Sequence, residues 1–185
     1  RSGHLDKVGT HRDRCNVINN SAAMYGFSVL LMHIIEADAI IDFMKTLDNV
    51  DGQRIAIIGN SYGGRTAMWI GAFNDKIQCV VSAGAMNLLS ERASKLSSCA
   101  IQYFPGVLRY GDVGEIYSLI APRPLQLQAG TDDPLITPAD RDKIADTVTK
   151  AYKALNKNDN LSIEVFKGGH MLNWQLAEPF LSKHL

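Results

Sequence analysis

Charge of one sign is missing from this chain. Its 185 residues carry 19 Lys and Arg against 19 Asp and Glu, a net charge of zero, so no net field draws it to nucleic acid or to an anionic membrane. Long apolar runs are missing as well, and none reaches the length a bilayer span requires. Cysteine is scarce: Cys15, Cys79 and Cys99 cannot all pair with one another. Their spacing suits neither zinc nor a redox motif, and no metal site is expected. Cys79, inside an apolar strand pattern, reads as a small buried hydrophobe. The opening Arg1-Ser2-Gly3-His4-Leu5-Asp6 is polar and unlike a signal peptide, so no compartment follows from it. Internal repeats, low-complexity tracts and interdomain linkers are also lacking. What remains is 46% hydrophobic and 21% charged, an ordinary globular composition at a length that suits one domain over residues 1–185.

The chain is organised around Arg54-Ile55-Ala56-Ile57-Ile58-Gly59-Asn60-Ser61-Tyr62-Gly63-Gly64. The apolar run predicts a short strand buried on both faces. Gly59 to Gly63 then spell G-x-S-x-G, and Arg65 to Ala72 continue as a helix. Strand, sharp turn and helix are the context in which that motif presents a nucleophilic serine. About 0.06 chance matches are expected in a chain of this size. The glycines are expected to leave room where a Cβ would collide, and Ser61 to stand exposed beside the positive end of the helix.

Residues 1–26 are polar, with His4, His11, Arg12, Asp13 and Arg14 clustered, and read as a long solvated loop. From Phe27 to Leu47 the spacing of Leu30, Ile34, Ala37, Ile41 and Met44 predicts a helix. Further strands are predicted over 77–83, 124–129 and 161–166, with helices near 91–100, 112–119, 138–155 and 173–183. Strands alternating with helices of this length imply parallel β-α-β units, an α/β fold with a sheet flanked by helices.

A serine hydroxyl needs a base to take its proton and an acid to orient that base. In parallel sheets such groups converge from loops at the carboxyl ends of the strands. Those loops offer Ser61, then Asp132 and Asp133, then His170 between Gly169 and Met171. His4, His11, His33 and His184 have no comparable placement. Of the two carboxylates Asp133 is favoured: Pro134 biases it towards extended backbone, which leaves Asp132 to turn the loop. The N–H of Tyr62 is a candidate oxyanion donor. Asn60, Arg65, Met86, Met171 and Trp174 adjoin these loops as candidate substrate-binding residues, with core packing an equal alternative for the apolar ones.

Four stretches carry a family resemblance: 49–55 leading into Gly59-Asn60-Ser61-Tyr62-Gly63-Gly64, Tyr103-Phe104-Pro105-Gly106, Ile120-Ala121-Pro122-Arg123-Pro124, and Gly168-Gly169-His170. From about Cys15 onward the chain resembles the dienelactone-hydrolase and acetyl-xylan-esterase-like branch of the α/β-hydrolases. The chain order Ser, Asp, His is the one expected there, and Gly130 to Asp133 has the G-x-x-D spacing usual for that loop. The resemblance implies a serine-dependent carboxylic ester hydrolase with Ser61, Asp133 and His170 as its triad and no cofactor. It further implies a small-molecule or carbohydrate ester as substrate, often carrying acetyl or other acyl groups. A prolyl-oligopeptidase-type serine peptidase, which needs a gating domain, and a catalytically silent binding domain are the rival readings.

The departure from the resemblance is at the front. The usual fold sets several strands, and a loop giving a second oxyanion N–H, ahead of the elbow strand. Here the residues before Arg54 offer one long helix and no convincing strand. The chain is therefore expected to be the carboxyl-terminal portion of the fold, with the elbow strand left as a flat hydrophobic edge. An upstream segment or a homo-oligomer is expected to cover that edge.

Overall fold

A computed structural model describes residues 9–95 and 98–185; His4 lies outside them. Four parallel strands lie side by side in chain order, β1 (Ala56–Asn60), β2 (Cys79–Ala83), β3 (Leu125–Gly130) and β4 (Leu161–Phe166). Ile57 sits opposite Val80, Val80 opposite Leu125, and Leu125 opposite Leu161. Because every strand runs the same way, the loops after β1, β3 and β4 emerge at one end of the sheet, and these are the loops that carry Ser61, Asp133 and His170.

The connecting helices are α3 (Tyr62–Phe73), α4 (Leu89–Lys95), α5 (Val113–Ser118) and α6 (Pro138–Ala154). Two helices, α1 (His11–Met24) and α2 (Val29–Met44), precede the sheet, and α7 (Trp174–His184) follows it. Strand β3 shows how the two faces of the sheet are divided. Leu125, Leu127 and Ala129 join the main core with Leu30, Met68, Ile116 and Ile144, from α2, α3, α5 and α6. The intervening Gln126 and Gln128 serve α7. Gln126 donates to the Leu176 carbonyl at 3.1 Å and Gln128 to that of Asn173 at 3.1 Å, while the Gln128 oxygen accepts from the Asn173 N–H at 2.9 Å. Cys79 and Val81 pack on Ala177 and Phe180 in a smaller second core. Burial there pushes the Cys79 thiol up to about 12.

The Ala121-Pro122-Arg123-Pro124 stretch clasps this core. Arg123 donates to the carbonyl of Gly71 in the last turn of α3, where carbonyls lack a partner within the helix, and to those of Asn74 and Ile77 in the loop that follows. Its own carbonyl accepts from the Tyr152 hydroxyl at 2.6 Å. The buried seam of α6 runs Ile144, Val148, Tyr152, and Leu155 lies beyond the helix end, half exposed.

Three expectations need correction. Residues 11–24 are helix α1 and not loop: Thr10 caps it, with Asp13 accepting from the Thr10 N–H at 2.6 Å in a capping box. The helix near 91–100 is the shorter α4. Strand β1 is not buried on both faces; its residues are half exposed, and Ile58 is 37% exposed. The reason is that β1 has one strand neighbour, β2, among the described residues.

Candidate active site

Ser61 stands at the junction of β1 and α3 with φ 59 and ψ −118, backbone that side-chain-bearing residues avoid. Two hydrogen bonds hold the turn: the Ser61 N–H donates to the Ala83 carbonyl at 2.9 Å, and its carbonyl accepts from the Arg65 N–H at 2.9 Å. A Cβ at Gly59 would lie 2.2 Å from the Gly63 oxygen, and one at Gly64 2.4 Å from the Ala83 oxygen. Gly63 differs, with nothing within 4 Å of its added Cβ, so the crowding expected there falls on Gly64. Ser61 is half-buried where full exposure was expected.

Asp133 is 5% exposed. One of its oxygens accepts from the Leu135 N–H at 2.9 Å, and Oδ2 lies 2.7 Å from His170 Nδ1. Asp132 is exposed, accepts from the Thr131 hydroxyl at 3.2 Å, and its N–H donates to the Gly168 carbonyl at 2.8 Å. Of the neighbouring carboxylates, Asp133 reaches the imidazole and Asp132 stays on the loop. Gly130 makes this reach possible, because a Cβ there would sit 2.3 Å from the carbonyl oxygens of both Gly168 and Gly169.

A carboxylate only accepts, so the pairing places the proton of a neutral His170 on Nδ1 and leaves Nε2 with its lone pair. Nε2 is buried with no hydrogen-bond partner among the described residues. His170 and Ser61 both line a cavity of about 40 Å³. No hydrogen bond joins the two here, an alignment that catalytic pairs often complete only around substrate.

Of the remaining candidates, Tyr62 and Arg65 line that cavity and the others do not. Tyr62 opens α3 and, with Arg65, lines the cavity wall. Asn60 abuts it, its side-chain oxygen 2.7 Å from the Cβ position of Gly84, where the His170 ring also packs at 3.0 Å. Met86 is wholly buried in the main core, and Met171 and Trp174 are half exposed outside the cavity. The sequence reading did not anticipate Asn87, Arg92, Gln102 and Leu135, which also line it. Asn87 sits in a loop, Arg92 on the short α4 and Gln102 on a single 3-10 turn, stretches too short for spacing to report which way a side chain faces.

A larger cavity of about 460 Å³ lies between α2, α3 and α5, walled by Ile34, Trp69, Phe73, Phe104 and Leu119. It shares no lining residue with the Ser61 cavity. Its one carboxylate, Glu115, is engaged by the Asp112 N–H at 2.8 Å. Among the described residues, no group of three or more His, Cys, Asp or Glu could hold a metal ion, and no helix is long and apolar enough to cross a membrane.

A parallel sheet with a serine on a strained strand-to-helix turn, and an Asp–His pair on later strand ends, is the arrangement of an α/β-hydrolase. The profile of a family described as BAAT / Acyl-CoA thioester hydrolase C terminal matches residues 37–109. A putative hydrolase of Bacillus subtilis, YtaP, is 31% identical over 143 residues, which are 75% of this chain and 48% of that protein. Among solved structures, a putative acetyl xylan esterase from Bacteroides fragilis superposes with a TM-score of 0.74 at 20% identity, covering 91% of this chain and 52% of its own. A glucuronoyl esterase from Solibacter usitatus gives 0.69 at 18% identity, covering 82% and 47%. The chain has the α/β-hydrolase fold, and its sequence is similar to those of hydrolases. It spans about half the length of these relatives.

Proposed function

We propose that the chain carries the catalytic residues of a serine-dependent carboxylic ester hydrolase. The observation that supports this best is the buried Asp133 held 2.7 Å from His170 Nδ1, with His170 and Ser61 lining one cavity. In this reading Ser61 Oγ attacks the ester carbonyl carbon while His170 Nε2 takes its proton. The imidazolium that forms is stabilised by Asp133. Negative charge on the carbonyl oxygen meets the Tyr62 N–H at the positive end of α3. Collapse breaks the bond to the alcohol, which leaves with the proton from His170. Water then attacks the acyl-serine by the same proton path, releasing the acid and restoring Ser61. The acetyl xylan esterase and glucuronoyl esterase among the structural neighbours favour esters of carbohydrates as substrates, and other small esters fit the same chemistry.

The test is labelling of the intact protein by a fluorophosphonate, with the modified residue identified by mass spectrometry. Label on Ser61, lost in Ser61→Ala together with ester turnover, supports an enzyme. An unlabelled serine, or a Ser61→Ala variant within a few-fold of the parent on a short acyl ester, would leave the silent-domain reading standing. Peptide amides offered beside oxygen esters separate a peptidase from an esterase.

A further inference from the structure

Three successive residues at the carboxyl end of β2 touch the candidate site without belonging to the triad. The Ala83 carbonyl accepts the Ser61 N–H at 2.9 Å. Gly84 lies against His170, since a Cβ on it would sit 3.0 Å from the ring. Ser82 is wholly buried. Its hydroxyl donates to the Gly64 carbonyl, in the first turn of α3, at 2.9 Å. Its oxygen also lies 2.6 Å from the hydroxyl of Tyr117 on α5, which is wholly buried as well.

A hydroxyl has one proton, and a carbonyl has none to give. Ser82 therefore gives its proton to Gly64, and Tyr117 donates to Ser82. Burial raises the Tyr117 hydroxyl above its ordinary 10, against the pull of Arg65 and of the Ser82 bond, so it stays a donor at neutral pH. The bonds thus run from Tyr117 to Ser82 to Gly64, out of the core and up to the Ser61 turn.

A buried polar pair contributes little more to stability than apolar groups of the same shape would. Its place is what sets this one apart. The backbone of Ser61 is of a kind that persists only where its surroundings over-determine it. Strand β2 grips that turn at two points, the Ser61 N–H through Ala83 and the Gly64 carbonyl through Ser82. Tyr62, whose N–H is the oxyanion donor of the proposed mechanism, lies between them. The grip has no slack, because a Cβ on Gly64 would lie 3.0 Å from the Ser82 oxygen.

We infer that Ser82, held by Tyr117, is a positioning residue that fixes the first turn of α3 against β2, and with it the direction of the Tyr62 N–H towards the oxyanion. This deepens the esterase reading and rests on it. Neither side chain lines the Ser61 cavity, so neither meets substrate. Their effect falls on the transition state, where a misplacement of about 1 Å costs up to about 10²-fold in rate.

The experiment compares the parent, Ser82→Ala, Tyr117→Phe and the double variant on one short acyl ester. Each is measured for kcat and KM, for its midpoint of urea unfolding, and for inhibition by butylboronic acid, which adds to a serine oxygen as a tetrahedral analogue of the transition state. Ser82→Ala leaves the Tyr117 hydroxyl buried without an acceptor and is expected to lower the midpoint. It is also expected to lower kcat by about tenfold or more with KM within about twofold of the parent's, and to weaken boronate inhibition by the same factor as kcat. Tyr117→Phe keeps the bond to Gly64 and is expected to lose less. In the double variant no orphan hydroxyl remains, so the midpoint recovers, while kcat stays low because nothing holds the Gly64 carbonyl. If Ser82→Ala does not fold, the double variant carries the test. A double variant whose kcat returns to within about twofold of the parent's along with its midpoint overturns the inference and leaves the esterase reading intact, and so does a loss that falls on KM alone. A parent that turns over no ester and leaves Ser61 unlabelled by a fluorophosphonate removes both.

Discussion

The two edge strands differ in a way that separates a finished side of the molecule from an open one. Strand β4, Leu161-Ser162-Ile163-Glu164-Val165-Phe166, alternates polar with apolar, and Ser162 donates to Glu164 at 2.7 Å. A charged, alternating strand is what an exposed edge requires. Strand β1, Ala56-Ile57-Ile58-Gly59-Asn60, has no charge and reads as a central strand, yet Ile58 is 37% exposed. Helix α2 also shows apolar side chains to solvent: Leu30 and Ile41 enter the core while Ile35, Ile40 and Phe43 are 61%, 57% and 64% exposed. Helix α6, over the other end of the sheet, buries Ile144, Val148 and Tyr152 and exposes its charges. The Asp133–His170 pair therefore rests on strands that are complete, and Ser61 on a strand whose sequence suits a second neighbour. That neighbour is expected to be a further strand, from a longer chain or from another copy.

The largest effect expected lies on the finished side. Asp133→Asn loses the charge that orients His170 and is expected to reduce turnover by up to ~10⁴ with the fold retained. Asp132→Asn, on an exposed turn residue, is expected to stay within a few-fold. Steady-state rates on one short ester decide this, and reversed effects would transfer the acid role to Asp132.

The positions of the catalytic candidates were legible because each one closes a strand. Ser61 follows β1, Asp133 follows β3 and His170 follows β4, and glycines mark each turn. Helix α1 was not legible, since Asn16, Asn19 and Asn20 disfavour helix and its few apolar residues give no stripe. Its formation depends on the Thr10–Asp13 cap and on tertiary contact, such as the Asn16 side chain accepting from the Ala100 N–H at 3.1 Å. Arg65 was legible by its place one turn after Ser61. Arg92 and Gln102 were not, because Arg92 lies on α4, seven residues and too short for spacing to report a face, and Gln102 lies on a single 3-10 turn. Met86 adjoins the site in sequence but turns into the core two residues after Gly84, a direction that neighbourhood alone does not give. The apolar run of β1 reported what the strand is built for rather than what surrounds it here.

A second expected effect compares the centre of the sheet with its open edge. Leu127 on β3 is wholly buried, and Leu127→Ala is expected to cost about 2–5 kcal/mol in denaturant unfolding. Ile58→Ala removes half-exposed atoms and is expected to cost under about 1 kcal/mol for this chain by itself. A cost at Ile58 close to that at Leu127 would show the edge covered in solution. Sedimentation with Ile35→Glu and Phe43→Glu then asks whether α2 forms the contact. Loss of self-association in that double variant supports a homo-oligomer, and an unchanged monomer rules one out on this face.

The smallest effect expected concerns how α2 is tied down on the open side. Lys76, in the loop after α3, lies 2.8 Å from Asp38 and 2.6 Å from Asp42 of α2, and the Asn74 amide donates to Asp38 at 3.1 Å. The hydrogen bond from Lys76 lowers the Asp38 carboxyl below its ordinary 3.8, and the bonds to Asp38 and Asp42 raise the Lys76 ammonium above its ordinary 10.5. A lowered acid contributes stability in full above its unfolded value and loses it as pH falls through the folded one. A raised base contributes in full below its unfolded value and loses it as pH rises through the folded one. The tie is therefore expected to act across the whole neutral range and to fail only below about 3.8 and above about 10.5. Melting of the parent against Lys76→Met, followed with pH, should show a small constant gap that closes at both ends. The groups are exposed, so 1 M salt, with a screening length of about 3 Å, should narrow the gap at neutral pH. A gap that opens or closes between pH 5 and 9 would mean that groups other than Lys76 and Asp38 govern how α2 is held.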